Sequence, residues 1–454
     1  MSVPFPSSEP RLNAPCALAA PDVSPLVHDK NFSLCVAEVD NSSNIAGQFA
    51  LPSDEERGAL GVVVTGADYR ALGVVRSLGR WNIPVCVLKQ CGHSLAAQSR
   101  YAICSINWPD GDDESRLRFL VDQSEKLHLR GWLLVPTDDD TVAFIARHHC
   151  RLAACYRLTT PAEDELRLAT NKQLMYQVAQ RLDIPQPRTY FPVSYADVAS
   201  LGNCFPAILK PITRVGMAQL ANAKAWRVDD PAGLAQRYRE LSAMAAPDSF
   251  MVQELIFGGG DAQFSHAALC RNGRTVAAVT ARRLRQIPMD FGRFSTYVET
   301  VEQPEVAELA ERLLRELKFN GLVEVEFKRD PRDGAFKLLD VNPRVWGWHS
   351  LCPRAGVDFP YLLWLQTLGR PVGEVRPKIG VRWMRMSADV MVAASEMLHC
   401  RLTPPAYWNS LRRPRESAIF AADDPLPGLL EFPLALFLML RQSAARMMSR
   451  RRHA

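Results

Sequence analysis

The segment GLVEVEFKRDPRDGAFKLLDVNPR, residues 321–344, restricts the possible fold more than any other part of the chain. From Leu322 to Lys328 apolar and charged residues alternate, so a strand here places Val323, Val325 and Phe327 on one face and Glu324, Glu326 and Lys328 on the other. The turn RDPRDGA returns the chain as FKLLDVN, in which Asp340 and Asn342 share a face because they are two residues apart. If the two strands pair antiparallel, Glu326, Asp340 and Asn342 project together into a cleft. Two carboxylates and an amide suit Mg²⁺, which keeps several waters and shares the phosphates of a substrate. On spacing alone, an ordinary sheet face carrying a cross-strand ion pair is the commoner outcome.

At 454 residues the chain exceeds the size at which one hydrophobic core stops growing, so two or three packed units are expected. Residues 1–58 are rich in Pro, Ala, Ser and Asp without steady periodicity and read as a flexible extension. From Leu60 the pattern changes. GVVVTG is a β-branched run ending in glycine, ADYRALGVVRSLGRWNIPVCVL reads as a helix leading into a second strand, and the alternation continues to about Thr160. Strands separated by helices imply a parallel sheet covered on both faces, so residues 59–160 form an α/β domain. A helix is expected to begin at Thr170-Asn171-Lys172-Gln173, with Thr170 as the cap of a capping box and Leu174, Val178 and Leu182 on its buried face. FPAILKP and DSFMVQELI read as strands, and HAALCRNGRTVAAVTARRL as a hairpin turned at Asn272-Gly273.

Composition narrows the function classes. The net charge of +5 is not gathered into a central basic patch, so nucleic acid is not an expected partner. Eleven cysteines are scattered without a CxxC pair, which fits reduced thiols in a cytoplasmic protein better than disulfides or zinc. The first residues lack a basic stretch followed by an apolar run, so no export signal is expected, and the longest apolar window, Phe432 to Leu440, falls short of a membrane span.

Glu326-Phe327 followed by Asp340-Val341-Asn342-Pro343-Arg344 resembles the metal-binding signature of the ATP-grasp superfamily, most nearly its carboxylate-amine ligases of the D-aspartate-ligase and carbamoyl-phosphate-synthase-like kind. Asp340 stands where glutamate is commoner. The resemblance runs from about Gly61 to Gly369. It implies a Rossmann-like amino-terminal domain (59–160) followed by a two-lobed ATP-grasp module of mixed α/β and α+β character (161–375, small lobe about 190–255), then a carboxy-terminal extension (376–454).

The resemblance also implies roles. Glu326, Asp340 and Asn342 would hold Mg²⁺ or Mn²⁺, and Lys172 and Lys210 would contact the phosphates of ATP. The hinge strand MVQELIFGGGD would bind adenine through Gln253, Glu254, Leu255 and Ile256, with Asp261 near the ribose. Arg344, together with Arg283 and Arg285, would steady charge developing in phosphoryl transfer; period-two alternation puts Arg283 and Arg285 on one face and Arg282 on the other. Trp346, Trp348 and His349 either line an acceptor pocket or belong to the core. Asp138, Asp139 and Asp140 sit at the carboxyl end of a strand, where open α/β sheets bind ligands, although a helix cap accounts for one of them as well.

The implied reaction joins a small-molecule carboxylate to an amine at the expense of ATP. A glycine-poor flap, with Gly216 alone in PITRVGMAQLANAKAW, keeps open a non-catalytic ATP-binding regulatory or assembly protein on the same fold. The apolar tail with Arg441, Arg446, Arg450, Arg451 and Arg452 suits either peripheral contact with an anionic membrane or a packed helix with a basic end.

Overall fold

The computed structural model describes residues 60–89, 94–202, 204–213, 225–289, 292, 294–412 and 415–434, all within one compact unit, Ser42–Ala454. The leader, the flap around Gly216 and the arginine-rich end lie outside the described residues.

The first sheet is parallel throughout: β1 (Val62–Thr65), β2 (Val85–Lys89), β3 (Ala102–Asn107), β4 (Leu133–Val135) and β5 (Arg157–Leu158), in the order β3-β2-β1-β4-β5. Its central strands are continuous apolar runs because helices cover both faces. Val62, Val64, Val85 and Val87 pack with the helix Tyr69–Arg80, whereas Val63, Cys86, Leu88 and Leu134 pack with Leu117, Leu120 and Phe144 from the opposite side. The direction of winding reverses between β1 and β4. A crevice therefore opens at the carboxyl ends of those two strands. The expectation of wholly reduced thiols is corrected at one place: Cys86 and Cys104, paired across β2 and β3, are joined by a disulfide.

A small antiparallel sheet follows, β6 (Thr189–Tyr190), β7 (Ala207–Pro211), β8 (Trp226–Val228) and β9 (Phe250–Glu254), ordered β6-β9-β7-β8. The largest sheet contains β10 (Gln263–Arg271), β11 (Arg274–Ile287), β12 (Phe294–Thr300), β13 (Gly321–Arg329), β14 (Phe336–Asn342), β15 (Arg382–Met384) and β16 (Glu416–Ser417), ordered β14-β13-β10-β11-β12-β15-β16. The β10–β11 hairpin turns at Asn272 and Gly273, both at positive φ, as the Asn-Gly pair requires.

One face of this large sheet, with Val323, Val325 and Phe327, packs on the helices Lys172–Arg181 and Pro304–Glu316. Ala267, Leu269, Val279 and Leu322 on its other face share one continuous core with β1, β2 and the helix Phe359–Thr367. That shared core fixes the first sheet against the third. The helix Tyr69–Arg80 approaches closely at Gly73, where a Cβ would lie 2.6 Å from His349 Cε1.

Two local expectations are corrected. The helix Lys172–Arg181 is capped by Asn171, whose side chain accepts from Gln173 N and Leu174 N, while Thr170 ends the preceding helix and its hydroxyl donates to Leu166 O. Its buried face is consequently Lys172, Met175, Tyr176, Val178 and Ala179, with Leu174 and Leu182 only half-buried. In β11 the register shifts between Arg283 and Arg285, so Arg283 stands opposite Val298 and Arg285 opposite Tyr297. Neighbouring residues of β12 point to opposite faces, and so therefore do Arg283 and Arg285. Arg285 is sequestered against the carboxy-terminal extension: it makes a bidentate pair with Asp389 (2.9 and 2.7 Å) and stacks on Tyr297 and Tyr407.

Asn171→Ala is expected to cost about 1 kcal/mol in urea unfolding, and Thr170→Ala clearly less. Arg285→Ala strands a buried Asp389 and should cost about 3–5 kcal/mol in the same measurement, whereas the apolar pair Arg285→Met with Asp389→Leu should recover most of the loss.

Candidate active site at the β13–β14 ladder

Antiparallel pairing sets Glu326 opposite Asp340 and Glu324 opposite Asn342, so these four side chains leave the same face of the sheet. All four are buried. Asn342 Nδ2 donates to Glu324 Oε2 (3.1 Å) and Glu326 Oε1 (2.9 Å). Gln263, at the start of β10, donates to Glu326 Oε2 at 2.9 Å, and Trp348 Nε1 donates to Glu324 Oε1 at 2.8 Å. Arg283 reaches the pair from β11, 2.8 Å from Glu326 and 3.9 Å from Glu324. Burial pushes the Glu324 carboxyl above its ordinary range and the neighbouring Glu326 adds to this, with Arg283 opposing.

Two further cations close the site. Lys172, the first residue of its helix, lies 3.0 Å from Asp340 Oδ1. Arg344 binds Asp139 at 2.5 Å, and burial, which alone would favour its neutral form, is outweighed by Asp139, leaving the guanidinium more firmly protonated than usual. Asp139 opens the helix Asp139–Arg147 after β4, whereas Asp138 is that helix's cap and accepts from Thr141 N. A cavity of about 40 Å³ lies between Asp139, Lys172, Thr213, Asp340 and Asn342. Among the described residues no three His, Cys, Asp or Glu side chains form a metal cage. Two carboxylates and an amide nevertheless fit a Mg²⁺ or Mn²⁺ that takes its remaining ligands from phosphate and water.

The residues expected on the nucleotide side are more dispersed. Lys210 is buried on β7 and shares a face with Ile208, which packs with Leu255 and Ala225. Gln253 donates to Tyr176 Oη (2.9 Å) and Thr189 Oγ1 (2.8 Å). Glu254 turns its carboxylate to Arg188 (3.1 Å) and Arg332 (3.0 Å). Two backbone amides of this hinge are engaged within the protein: Glu254 N donates to Arg188 O and Leu255 N to Pro206 O, each at 3.0 Å. Among the described residues, Ile256 N has no such acceptor. Asp261 is exposed in a single turn after the glycines.

Of the residues singled out in the sequence, the structure brings Glu326, Asp340, Asn342, Arg283, Arg344 and Lys172 together and turns Arg285 away. Gln263 was not singled out, and the ties of Trp348 and Glu324 into this network escaped sequence reasoning. Glu324 carried a signal, since it shares the alternating face with Glu326. Trp346, Trp348 and His349 are all buried; Trp348 joins the site through its indole N–H, while His349, held at a pKa of about 4 by burial, donates from Nε2 to Arg70 O at 2.9 Å.

Comparison with known proteins agrees with this architecture. Residues 250–387 match the family model described as ATP-grasp in the biosynthetic pathway with Ter operon. No curated protein sequence matches. Among solved structures, L-amino acid ligase from Bacillus licheniformis superposes with a TM-score of 0.55 at 15% identity, over 70% of this chain and 77% of that one. N5-carboxyaminoimidazole ribonucleotide synthetase, solved with ADP, gives 0.54 at 14% identity over 73% and 81%. Biotin carboxylase from Campylobacter jejuni, solved with a β-γ-ATP ligand, gives 0.55 at 16% identity over 69% and 73%. At these identities the structures establish the fold alone, a two-lobed ATP-grasp fold, and the segment matched by the family model runs from β9 to β15 and contains Glu326, Asp340 and Asn342.

Proposed function

We propose that this chain is an ATP-dependent ligase that phosphorylates a substrate carboxylate and couples it to an amine, releasing ADP and phosphate. The observation that carries the reading is the convergence of Glu326, Asp340 and Asn342 with three cations, Arg283, Lys172 and Arg344, on one sheet face beside a cavity. The solved relatives with ADP or a β-γ-ATP ligand support the nucleotide, and the ligase among them supports the reaction class.

Glu326, Asp340 and Asn342 would hold the metal, which would supply positive charge to the phosphates of ATP. Lys172 lies 3.0 Å from Asp340 and Arg283 2.8 Å from Glu326, so each carboxylate has a cation beside it. The same two cations would add their charge to the binding of the phosphates. Arg344, fixed by Asp139, keeps a guanidinium edge near the transferred group. An oxygen of the substrate carboxylate attacks the γ-phosphorus, and the bond to the β-phosphate oxygen breaks with its electron pair leaving on ADP. The amine nitrogen then attacks the acyl carbon, the C–O bond to phosphate breaks, and the nitrogen releases its proton. The chain's contribution is positioning and charge neutralisation.

A non-catalytic ATP-binding role has one feature in its favour, the glycine-poor sequence PITRVGMAQLANAKAW with Gly216 alone. Turnover separates the two readings. Mg-ATP at about 100 times its dissociation constant should stabilise the chain by about 2.7 kcal/mol. Asp340→Asn should abolish that shift. With a suitable carboxylate and hydroxylamine as the nucleophile, ADP and hydroxamate should form together, and Arg283→Ala should lower the rate about 10²–10³-fold. Mg-ATP binding without ADP release from any carboxylate would leave the non-catalytic reading.

A further inference from the structure

Arg385 stands apart from the other buried and half-buried arginines of this part of the molecule. Arg70 is paired with Asp68, Arg344 with Asp139, Arg283 with Glu326, Arg285 with Asp389 and Arg382 with Glu299. Arg385 is half-buried, yet among the described residues no carboxylate lies within ion-pair distance of it and its buried Nε has no acceptor. Its position is nevertheless well defined. The guanidinium carbon sits 4.5 Å from the centroid of the Tyr69 ring and 5.5 Å from that of Phe294, and the backbone amide is bound to Thr296 O. Aromatic stacking holds the plane of an arginine while leaving its edge donors free for an anion.

That edge belongs to the crevice. Tyr69 and Asp68 directly follow β1, at the point where the strand order reverses, and Asp139 follows β4 on the other side of the same point. A Cβ at Gly347 would lie 3.0 Å from Tyr69 Oη, which places the ring against the loop that carries Arg344. Arg70 and Asp68 keep 24% and 40% of their side-chain surface accessible, so the crevice admits solvent beside Arg385. Burial pushes the Asp68 carboxyl up, but Arg70 and then Arg385 more than offset it, and the group stays charged. A fixed negative charge so close disfavours a dianionic phosphate next to Arg385 more than a carboxylate, which carries one charge.

We infer that the substrate is a dicarboxylate: one carboxylate meets the γ-phosphate between Arg344 and Arg283, and the second is gripped by Arg385 across the Tyr69 ring. This rests on the ligase reading above. It makes Arg385, at the start of the carboxy-terminal extension, a specificity-determining residue, because an uncharged analogue leaves a desolvated guanidinium without a partner.

The test uses the full chain with Mg-ATP and hydroxylamine, comparing succinate, glutarate, L-aspartate and L-glutamate with butyrate and phosphoglycolate. At least one dicarboxylate should support ADP and hydroxamate formation with kcat/KM about 100-fold above butyrate. Arg385→Ala should raise the KM for that dicarboxylate about tenfold or more with the KM for ATP unchanged, and Arg385→Lys should recover part of the loss. Equal use of butyrate, a preference for phosphoglycolate, or an unchanged dicarboxylate KM in Arg385→Ala would overturn the inference. Calorimetric titration of the four dicarboxylates into wild-type chain and both variants separates this from failure of the ligase reading. Binding that Arg385→Ala abolishes and Arg385→Lys partly restores, in a chain that does not release ADP, sinks the ligation and leaves the dicarboxylate site. Absence of both binding and turnover sinks the inference.

Discussion

The pairing register of β13 with β14 is the constraint on which the rest of the site depends. Glu326 faces Asp340 and Glu324 faces Asn342 because the antiparallel register sets them opposite each other. A one-residue slip of β13 would send Glu324 and Glu326 to the opposite face, where Val323, Val325 and Phe327 now pack with the helix Pro304–Glu316. Placing two carboxylates among those apolar side chains, away from Asn342, Gln263 and Arg283, is a large penalty. The hydrophobic face therefore fixes the polar one, and the site's geometry is set by packing on the side of the sheet away from the chemistry. The register shift immediately after Glu326 supports this, since it ends the strict ladder just beyond the last residue the site uses.

The second dependency is electrostatic. Two glutamates that share an asparagine and an arginine are expensive to bury, and the raised pKa of Glu324 is the direct sign of it. The fold tolerates the arrangement by bringing donors from separate elements: the Arg283 guanidinium from β11 and the neutral Gln263 amide from β10 to the glutamates, and Lys172 from a helix start to the adjacent Asp340. Arg344 is held from the first sheet by Asp139. None of these donors is near another in sequence, so the network is complete only when the shared core of the first and third sheets has formed. Assembly of the site and tertiary folding are thus one event.

Much of this was legible in the sequence wherever the information was local. Period-two alternation located β13 and β14 and told the core face from the polar face, and Asn272-Gly273 gave the hairpin. The superfamily resemblance then supplied roles that spacing alone left open for Glu326, Asp340, Asn342, Lys172 and Arg344. What escaped was non-local or turned on a single residue. Leu284 makes the bulge that parts Arg283 from Arg285, and nothing in ARRLRQ marks it, so alternation wrongly kept the two arginines together. Asn171 and Thr170 are both good caps, and only the end of the preceding helix decides between them. Trp348 looked like either pocket or core. It is core by burial and part of the site by its indole N–H, a combination that no pattern of apolar residues contains.

The ion pairs of the site also bear on how its charge is balanced. Lys172 on Asp340 and Arg283 on Glu326 set a cation beside each carboxylate, which avoids the cost of isolated buried charge. Replacing either cation by a neutral side chain would weaken the site before any chemistry is asked of it. In the proposed ligase, a metal held by Glu326, Asp340 and Asn342 would add positive charge and the phosphates of ATP would offset it, so the binding of the two would be coupled through charge balance.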